Sequence, residues 1–341
     1  MTNVKLLLSA HRRFNDLLSA LALSADIQPF LAKVIAAVEE FLPDSKVTIL
    51  ILNQETNTLH SGAKNNLPDF YNEAIEGVEI GASIGSCGAA AYLNKTVIVE
   101  NINSHPNWHS LLPLTQKANL HSCWAVPICN SSNDVIGTFA IYHHQPKTPT
   151  AVEHEIVNVA ALITSVAIEK RELEEKLRFN ASHDELTGLF NRAYLNNVGD
   201  SFISLCIRNN LNCSILFLDL NKFKRVNDVF GHKRGDKLLC QIANIIQQQT
   251  RSSDIAVRFG GDEFIIIMEN SNDLDGEKVA RRIHQLILES VSNEILALDF
   301  GVSIGVAMLN NKPQSLSQLI SRADQAMYIA KRSNLGIYCK P

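Results

Sequence analysis

The stretch Arg258–Phe264 reads Arg-Phe-Gly-Gly-Asp-Glu-Phe, and it lies between two short apolar runs of strand character. These runs are Asp254–Phe259 before it and Phe264–Met268 after it. Two such runs joined through a Gly-Gly pair predict a β-hairpin, because a tight turn that needs positive φ favours glycine. We therefore expect a hairpin whose turn contains Gly260 and Gly261.

Two acids, Asp262 and Glu263, follow the glycines at the tip of this hairpin. Because Gly260 and Gly261 have no side chains, a bulky ligand can lie directly against the backbone there. A Gly-Gly-acid turn alone is more often an ordinary hairpin. Its significance depends on which other residues the fold brings to it.

The overall composition is that of an ordinary soluble protein. A chain of 341 residues, 46% hydrophobic and 19% charged, can fill the cores of two domains. A net charge of −4 does not favour binding to a nucleic acid polymer, and we find no apolar run near the roughly 20 residues of a membrane span. The apolar run near the N-terminus is too short for a signal peptide. Seven cysteines without Cys-x-x-Cys spacing indicate free thiols in the cytoplasm.

The N-terminal half predicts two helices followed by an α/β arrangement. Apolar residues from Leu7 to Leu21 follow helical spacing, and Asp26 is a candidate N-cap of the second helix. A glycine-rich loop at 81–88 leads into a short helix at 89–94, and strands are predicted at 47–52, 58–62, 96–99, 122–128 and 135–142.

Four segments in this order resemble a GAF domain, the small-molecule-sensing α/β module: Ser83–Ala90, Asn101–Trp108, Ser122–Ile128 and Gly137–Tyr142. The resemblance covers residues 25–170. We assign the sensor domain to residues 25–150, after an N-terminal helix at 1–24. The resemblance implies a central antiparallel sheet with a pocket over one face that holds an unknown small-molecule ligand.

Cys87 and Cys123 lie in two of these segments and are candidates for the sensor pocket, as a thiol pair or as ligands of a metal or a haem. The alternative, which we favour, is that both are small buried core residues. Some GAF proteins reduce free methionine sulfoxide, but the further cysteines of that family are absent from the loop His105–Leu112. His105, His109 and His121 lack the spacing of metal ligands.

Residues 151–180 have the pattern of a helical linker. Apolar residues alternate in steps of four and three from Val152 to Leu177, and dense mixed charge surrounds them at Glu169–Lys176. This pattern predicts a coiled coil. The first half also suits packing on its own domain, whereas the charged second half needs a partner chain. We therefore expect a stalk that forms a homodimer.

In the C-terminal part, a strand at Cys213–Leu218 ends in Asp219. If this strand lies beside the hairpin, Asp219 and Asp262 come together. Two adjacent carboxylates repel each other unless a divalent cation holds them, and oxygen ligands favour Mg²⁺ or Mn²⁺.

Residues 181–341 resemble a GGDEF domain, the catalytic domain of diguanylate cyclases, over their whole length. Four segments carry the resemblance in the right order: Asp184–Arg192, Asp219–Asp236, Arg258–Phe264 and Arg322–Lys331. The implied fold is a five-stranded, mainly antiparallel sheet wrapped by helices, akin to nucleotidyl cyclases and polymerase palm domains. The chain is then a two-domain α/β (α+β) protein. The implied reaction joins two GTP molecules into cyclic di-GMP and releases two pyrophosphates.

The resemblance also implies roles for individual residues. Asp219, the carbonyl of Leu220 and Asp262 would hold two Mg²⁺ or Mn²⁺ ions for each GTP, and Glu263 would position the 3′-hydroxyl. The other residues predicted to contact GTP are of four kinds. Lys222, Phe223 and Lys224 offer backbone N–H groups at the start of a helix, and Lys224 and Lys331 offer positive charge. Asn227 and Asp236 would bind the guanine, and Gly260 and Gly261 would leave room for the ligand. Asn227 and Asp236 could instead be helix caps, and the lysines solvated surface. Asp184 and His232 are expected to be structural.

Three further features bear on activity. Asn221 replaces an acid often found in this family, which we expect to change little. Leu335 stands where the family has an arginine, which predicts weaker GTP binding. Arg251 and Asp254 match the family's inhibitory product site, with Arg282 (or Arg281) as a further contact.

We therefore expect a cytoplasmic diguanylate cyclase that its GAF domain regulates and its product inhibits. Its partners would be GTP, cyclic di-GMP and a second copy of the chain. The alternative is a catalytically inactive GGDEF protein that acts as an effector by binding cyclic di-GMP or GTP.

Overall fold

The structure is a computed structural model that describes residues 3–22, 26–63, 65–209, 211–269, 273–309 and 314–340. It divides into two compact units, Met1–Glu174 and Glu175–Pro341. The spacing of apolar residues ends at Leu21, and we expect the chain to leave the first helix at 24–26; residues 23–25 lie outside the described residues. Asp26 caps the second helix as expected, because its side chain accepts a hydrogen bond from the N–H of Gln28 at 3.1 Å.

The first unit is built on one antiparallel sheet. Its strands are β1 (Ser45–Asn53), β2 (Thr58–Ser61), β3 (Val78–Glu79), β4 (Val97–Val99), β5 (Ser122–Cys129) and β6 (Val135–His143), in the spatial order β3-β2-β1-β6-β5-β4. Its helices are α1 (Asn3–Leu21), α2 (Ile27–Phe41), α3 (Asp69–Ile75), α4 (Cys87–Leu93), α5 (Leu112–Lys117) and α6 (Ala151–Ser182). Residues 102–104 and 106–111 form 3₁₀ turns.

Alternation along the strands supplies a core on each face of this sheet. Trp124 and Phe139 belong to the core that α1, α2 and α6 cover. The neighbouring residues Cys123 and Tyr142 belong to the core beneath α3 and α4. The five predicted strands are present, whereas α3, α5 and the two-residue strand β3 were not predicted because their periodicity is too short to read.

The second unit contains a mixed sheet. Its strands are β7 (Phe190–Asn191), β8 (Cys213–Asn221), β9 (Ile255–Arg258), β10 (Glu263–Glu269), β11 (Gly301–Met308) and β12 (Ile337–Lys340), in the order β12-β11-β8-β10-β9-β7. The three central pairings are antiparallel, and the short edge strands β7 and β12 pair in parallel. The described sheet therefore has six strands rather than five, because of these short edges.

Six helices cover the second sheet: α7 (Arg192–Arg208), α8 (Phe223–Phe230), α9 (His232–Gln249), α10 (Asp273–Ser290), α11 (Asn293–Leu296) and α12 (Leu316–Arg332). Buried apolar clusters lie on both faces of the sheet. β8 is central and buried over most of its length, so its C-terminal end delivers Asp219 to the edge of the core.

Helix α6 is long and apolar enough to cross a membrane by length and composition alone. Half of its most apolar window is buried within the protein. Ile156 and Ile163 are 0% and 2% exposed in the core of the first unit, which confirms that this half packs on its own domain.

Candidate active site

The predicted hairpin is present. β9 and β10 pair antiparallel with Phe264 opposite Arg258, and the N–H of Phe259 donates to the carbonyl of Glu263 at 2.9 Å. The predicted reason for its glycines was wrong, because neither Gly260 nor Gly261 has a positive φ. The turn backbone is one that other residues can adopt.

The glycines instead keep the surface of the turn open. A Cβ at Gly261 would meet no other atom within 4 Å, and one at Gly260 would approach only the carboxylate of Glu263, at 2.9 Å. This arrangement fits the other expectation for the turn, which is that a ligand can approach its backbone closely.

The two acids predicted to meet are brought together by strand register. β8 and β10 pair antiparallel with Asp219 opposite Glu263, and the N–H of Leu220 donates to the carbonyl of Asp262 at 3.2 Å. Burial, and then the charge of Asp219, raise the pKa of Asp262. The same two causes, in the same order, raise the pKa of Glu263. The site therefore concentrates negative charge that only a cation can relieve.

Lys331 supplies one cation from α12. Its Nζ lies 2.5 Å from Oδ1 of Asp219, with 44% of the lysine side chain and 14% of the aspartate side chain exposed. Sequence reasoning assigned Lys331 to the phosphates of GTP, whereas here it neutralises the carboxylate at the end of β8. The lysine is exposed enough to move from the carboxylate to a phosphate.

The donor set suits a hard divalent cation, since it offers carboxylate oxygens at a strand end beside the backbone of Leu220. Among the described residues no group of three or more His, Cys, Asp or Glu side chains is arranged to hold a metal ion. The predicted metal site therefore depends on Asp219, Asp262 and the backbone carbonyl of Leu220.

The segment predicted to bind phosphates lies where β8 leads into α8. Lys222 adopts the left-handed conformation, with φ 59° and ψ 19°, and no side chain caps the helix that begins at Phe223. A left-handed residue before a helix turns successive N–H groups into a concave nest that attracts anions. The predicted N–H groups of Lys222–Lys224 lie at this point. The side chain of Lys224 is exposed, and that of Phe223 is buried.

The predicted guanine-reading pair lies on two adjoining helices. Asn227 is on α8, and its side chain is so close to Gly235 on α9 that a Cβ at position 235 would overlap its Oδ1. Asp236 is the next residue and is exposed. The alternative that these residues are helix caps is wrong, because both lie inside helices and Gly231 is the N-cap of α9.

Arg258 is a functional residue that the sequence analysis did not single out. Its guanidinium donates to the carbonyl of Gly261 from Nη2 at 2.9 Å and from Nε at 3.3 Å, and Nη1 lies 2.9 Å from Oδ1 of Asp184. Burial opposes ionisation of Asp184, but hydrogen bonds from Thr187 and Arg258 outweigh it and lower the pKa of this carboxyl. Its place at the start of the hairpin motif was the available signal.

Comparison with known families agrees with this geometry. Residues 181–335 match the family described as "Diguanylate cyclase, GGDEF domain", and residues 24–169 match the GAF domain. The chain is a GAF domain followed by a GGDEF domain. Both resemblances noted in the sequence are thus confirmed.

Individual relatives cover different parts of the chain. The diguanylate cyclase DosC of Escherichia coli is 36% identical over 182 residues, which are 52% of this chain and 39% of DosC. The uncharacterised protein YtrP of Bacillus subtilis is 26% identical over 336 residues, which are 98% of this chain and 52% of YtrP. The diguanylate cyclase SiaD of Pseudomonas aeruginosa, solved with its activator SiaC, has a TM-score of 0.43 and 28% identity, covering 55% of this chain and 72% of that one. This chain thus spans about half or less of the curated relatives' own length.

The GGDEF domain differs from the usual family sequence at Asn221 and Leu335, and these two residues have different surroundings. The amide of Asn221 donates to the Ser303 hydroxyl on β11 at 2.9 Å, so this side chain is engaged within the sheet. Leu335, which follows α12, is 62% exposed. An arginine at position 335 would therefore be free to reach a ligand.

The predicted inhibitory site is a short turn before β9. Both oxygens of Asp254 accept backbone hydrogen bonds, Oδ2 from Arg251 at 2.8 Å and Oδ1 from Glu269 at 3.2 Å. Arg251 and Asp254 line a groove of about 330 Å³. Arg282 is exposed on α10 and is not among the residues that line this groove. Arg281 forms an ion pair with Glu277 at 2.5 Å.

The GAF domain has a cavity at the predicted place. Cys87, Tyr71, Trp108 and Tyr142 are among the residues that line it, and its volume is only about 30 Å³. This conformation has no room for a haem. Cys87 and Cys123 are 7% and 0% exposed, as expected for core residues.

Proposed function

We propose that this protein is a diguanylate cyclase that joins two GTP molecules into cyclic di-GMP and releases two pyrophosphates. The main support for this proposal is the register of β8 and β10, in which Asp219 lies beside the turn that contains Gly260, Gly261 and Asp262. No other place in the described chain combines adjacent acids, an anion-binding nest and an open turn.

In this proposal, Asp219, Asp262 and the carbonyl of Leu220 hold two Mg²⁺ or Mn²⁺ ions for each GTP. Such ions neutralise the charge that develops on the α-phosphate and polarise the attacking 3′-hydroxyl. The carboxylates need this partner, since burial and mutual repulsion disfavour the ionised form of Asp262. Glu263, beside them, positions the 3′-hydroxyl.

The triphosphate lies against the nest at Lys222–Lys224. Backbone N–H groups entering α8 bind its β- and γ-phosphates, and Lys224 adds positive charge. Lys331 releases Asp219 and turns to the phosphates when the substrate arrives. This exchange has a small free-energy cost, because the lysine side chain is long and almost half exposed.

Asn227 and Asp236 read the guanine. Neither side chain forms a hydrogen bond within the described part of the chain, so both are available to a base. The amide donates to O6, and the carboxylate accepts from N1–H and N2–H. Adenine would leave these groups unpaired at a cost of about 1–3 kcal/mol each, which selects GTP over ATP.

Because one pocket holds one GTP, the reaction needs two GGDEF domains face to face. The structure offers an apolar stripe for dimerisation on α6: Leu162, Val166, Leu173 and Leu177 are 64%, 42%, 60% and 61% exposed. Their spacing of four, seven and four follows a heptad, so two copies bury the stripe as a coiled coil. On α1, Val4 and Leu8 are also exposed apolar residues, at 68% and 55%. The resulting homodimer raises the local concentration of active sites.

Two kinds of regulation complete the proposal. Cyclic di-GMP binds at Arg251 and Asp254, with Arg282 as the available arginine on α10, and inhibits synthesis. A small molecule in the GAF cavity shifts the populations of productive and unproductive dimers. None of the seven cysteines, all of which lie in the described residues, forms a disulfide bond, which supports a reducing, cytoplasmic setting.

The test is incubation of the purified full chain with GTP and Mg²⁺, followed by chromatography and mass spectrometry. We expect cyclic di-GMP and pyrophosphate in a ratio of one to two, none with EDTA, and none from ATP. If no dinucleotide forms although the chain binds cyclic di-GMP in calorimetry, the protein is an inactive effector and the proposal fails.

A further inference from the structure

Two cysteines of the GAF domain are held near each other by two contacts through neighbouring residues. Cys87 begins α4, and the hydroxyl of the preceding Ser86 donates to the carbonyl of Cys123 at 3.3 Å. Cys123 pairs across the sheet with Tyr142, whose hydroxyl oxygen lies 3.8 Å from Sγ of Cys87. The two thiols are close enough for each to shift the pKa of the other. The fold therefore holds both thiols in one small space.

The cavity beside these thiols is neutral and very small. Cys87 lines it, together with aromatic and aliphatic side chains, and no Asp, Glu, Lys, Arg or His is among the lining residues. Its volume of about 30 Å³ accommodates roughly one or two non-hydrogen atoms. An ion or a nucleotide does not suit such a space, whereas a small uncharged molecule does.

Trp108 gives independent evidence for a polar occupant. It lines the same cavity and is 2% exposed, yet its indole Nε1–H has no hydrogen-bond partner in the described structure. An unpaired buried donor costs about 1–3 kcal/mol, so such groups are normally satisfied by the protein, by water or by a ligand. The occupant therefore carries a hydrogen-bond acceptor.

The electrostatics of the two thiols differ. The hydrogen bond from Cys123 stabilises the thiolate of Cys87 and, against burial, lowers the pKa of Cys87. Burial, and then the interaction with Cys87, raise the pKa of Cys123. Cys87 thus has the character of a nucleophile and Cys123 that of a protonated neighbour able to resolve a covalent intermediate.

We propose that Cys87 and Cys123 are a dithiol that a small hydroperoxide, bound in the cavity beside Trp108, oxidises to a disulfide. With hydrogen peroxide as the hydroperoxide, the thiolate of Cys87 attacks one oxygen, the O–O bond breaks, and the hydroxide that leaves takes up the proton lost by the Cys87 thiol to form water. The resulting sulfenic acid is attacked by Cys123, so the S–S bond forms as the S–O bond breaks, releasing a second water. Two thiols and one hydrogen peroxide thus give one disulfide and two waters.

A second buried thiol pair serves as an internal control. Cys206 and Cys213 in the GGDEF domain also contact each other, and they are 1% and 0% exposed. Burial raises the pKa of both, so neither is stabilised as a thiolate. Burial and thiol proximity are therefore shared by the two pairs, whereas thiolate stabilisation and the cavity beside Trp108 distinguish Cys87 and Cys123.

The test treats the intact chain with hydrogen peroxide, then unfolds it, alkylates the remaining thiols and maps peptides by mass spectrometry. We expect a Cys87–Cys123 disulfide that dithiothreitol reverses and that forms before any Cys206–Cys213 product. In Cys123→Ser, dimedone should trap a sulfenic acid at Cys87, and in Cys87→Ser the thiol of Cys123 should remain alkylatable. If the two pairs oxidise at equal rates, or the Cys87 peptide stays reduced, the proposal is wrong.

The role of the indole is tested separately on folded variants, verified by circular dichroism. Trp108→Phe removes the N–H and keeps an aromatic ring, so oxidation of Cys87 should slow about tenfold. The matched control is Trp124→Phe, since Trp124 Nε1 already donates to the carbonyl of Lys147 at 2.8 Å on the opposite face of the sheet. An equal effect of both substitutions would show that the indole N–H of Trp108 does not bind the peroxide.

Discussion

The two domains solve the same architectural problem but place their chemistry in opposite positions. Each has a six-stranded sheet with an apolar core on both faces. In the GAF domain the polar groups are buried within a core: Cys123 and Tyr142 are 0% and 2% exposed. In the GGDEF domain they lie where strands end, at Asp219 on β8 and in the turn before β10.

This difference follows from charge. A buried ion without a partner is too costly to keep, so a site for a charged substrate must be at a strand end, where solvent and cations reach it. A fully buried site must remain neutral, and the GAF cavity indeed has no charged lining residue. The position of each site thus indicates the charge of what it binds.

The sharpest way to break this comparison is to remove one charge from the strand-end site. Asp262→Asn keeps the shape of the turn but removes a negative charge that, in the proposed mechanism, holds the divalent ions. We expect cyclic di-GMP synthesis to fall at least about 10³-fold, measured as initial rate by chromatography. Asp299→Asn is the matched control, because Asp299 is exposed and pairs only with Arg225 at 3.3 Å. Activity within tenfold of wild type in Asp262→Asn would mean that this carboxylate does not serve catalysis.

The next largest effect concerns the support of the turn. Arg258→Lys retains a positive charge but cannot hold Gly261 and Asp184 together. Because a small displacement of catalytic groups costs up to about 100-fold, we expect kcat to fall about 10- to 100-fold with little change in KM. The free energy of unfolding should fall by about 1–3 kcal/mol.

A double-mutant cycle tests whether Arg258 acts through Asp184. The two side chains are 15% and 25% exposed and share a contact at 2.9 Å. Asp184→Asn and Arg258→Lys should therefore be strongly non-additive, both in kcat and in stability. Additive losses would show that Arg258 supports the turn independently of Asp184.

The sequence predicted the strand-end site far better than the buried one. Asp219, Asp262 and the hairpin could be located because strand ends and turns leave motifs, and the β8–β10 register then had to bring them together. The turn conformation was mispredicted, since Gly-Gly suggests positive φ although the actual need is open space above Gly261. The contact of Lys331 with Asp219 could not be predicted, because it joins residues 112 positions apart.

In the GAF domain, side-chain identity gave little warning of the chemistry. Cys87 and Cys123 read as core residues, and their burial agrees with that. What distinguishes them from Cys206 and Cys213 is the packing of α4 on β5, the lowered pKa of Cys87, the small cavity, and the Trp108 indole that has no partner among the described residues. These are properties of the assembled core, and no local pattern encodes them.

A smaller effect should appear in the pH dependence of cation binding. The pKa values of Asp262 and Glu263 are raised, so their contribution to stability is present below the unfolded pKa and is lost as pH rises through the folded pKa. Mg²⁺ relieves this loss, and its stabilising effect should grow over the same pH range. At about ten times its Kd, the gain is about 1.4 kcal/mol, or about 3–6 °C in Tm.

Calorimetry of the full chain with and without Mg²⁺, from about pH 4 to about pH 7, measures this gain. Asp262→Asn provides the control, since it removes one of the two carboxylates and should abolish most of the Mg²⁺-dependent shift. A shift that is constant across the range, or unchanged in the variant, would place the cation elsewhere.

The smallest expected effect concerns Leu335, an uncharged residue at a position where the family has an arginine. Leu335→Arg restores a cation that is free to approach the phosphates, because this side chain is 62% exposed. An exposed charge pair is worth only about 0.2–1 kcal/mol, so KM for GTP should fall about two- to fivefold with kcat unchanged. Leu335→Gln introduces a polar side chain without a charge, and it should leave the KM for GTP unchanged. If both substitutions lower KM alike, loss of an apolar surface explains the effect, and position 335 does not contact the triphosphate.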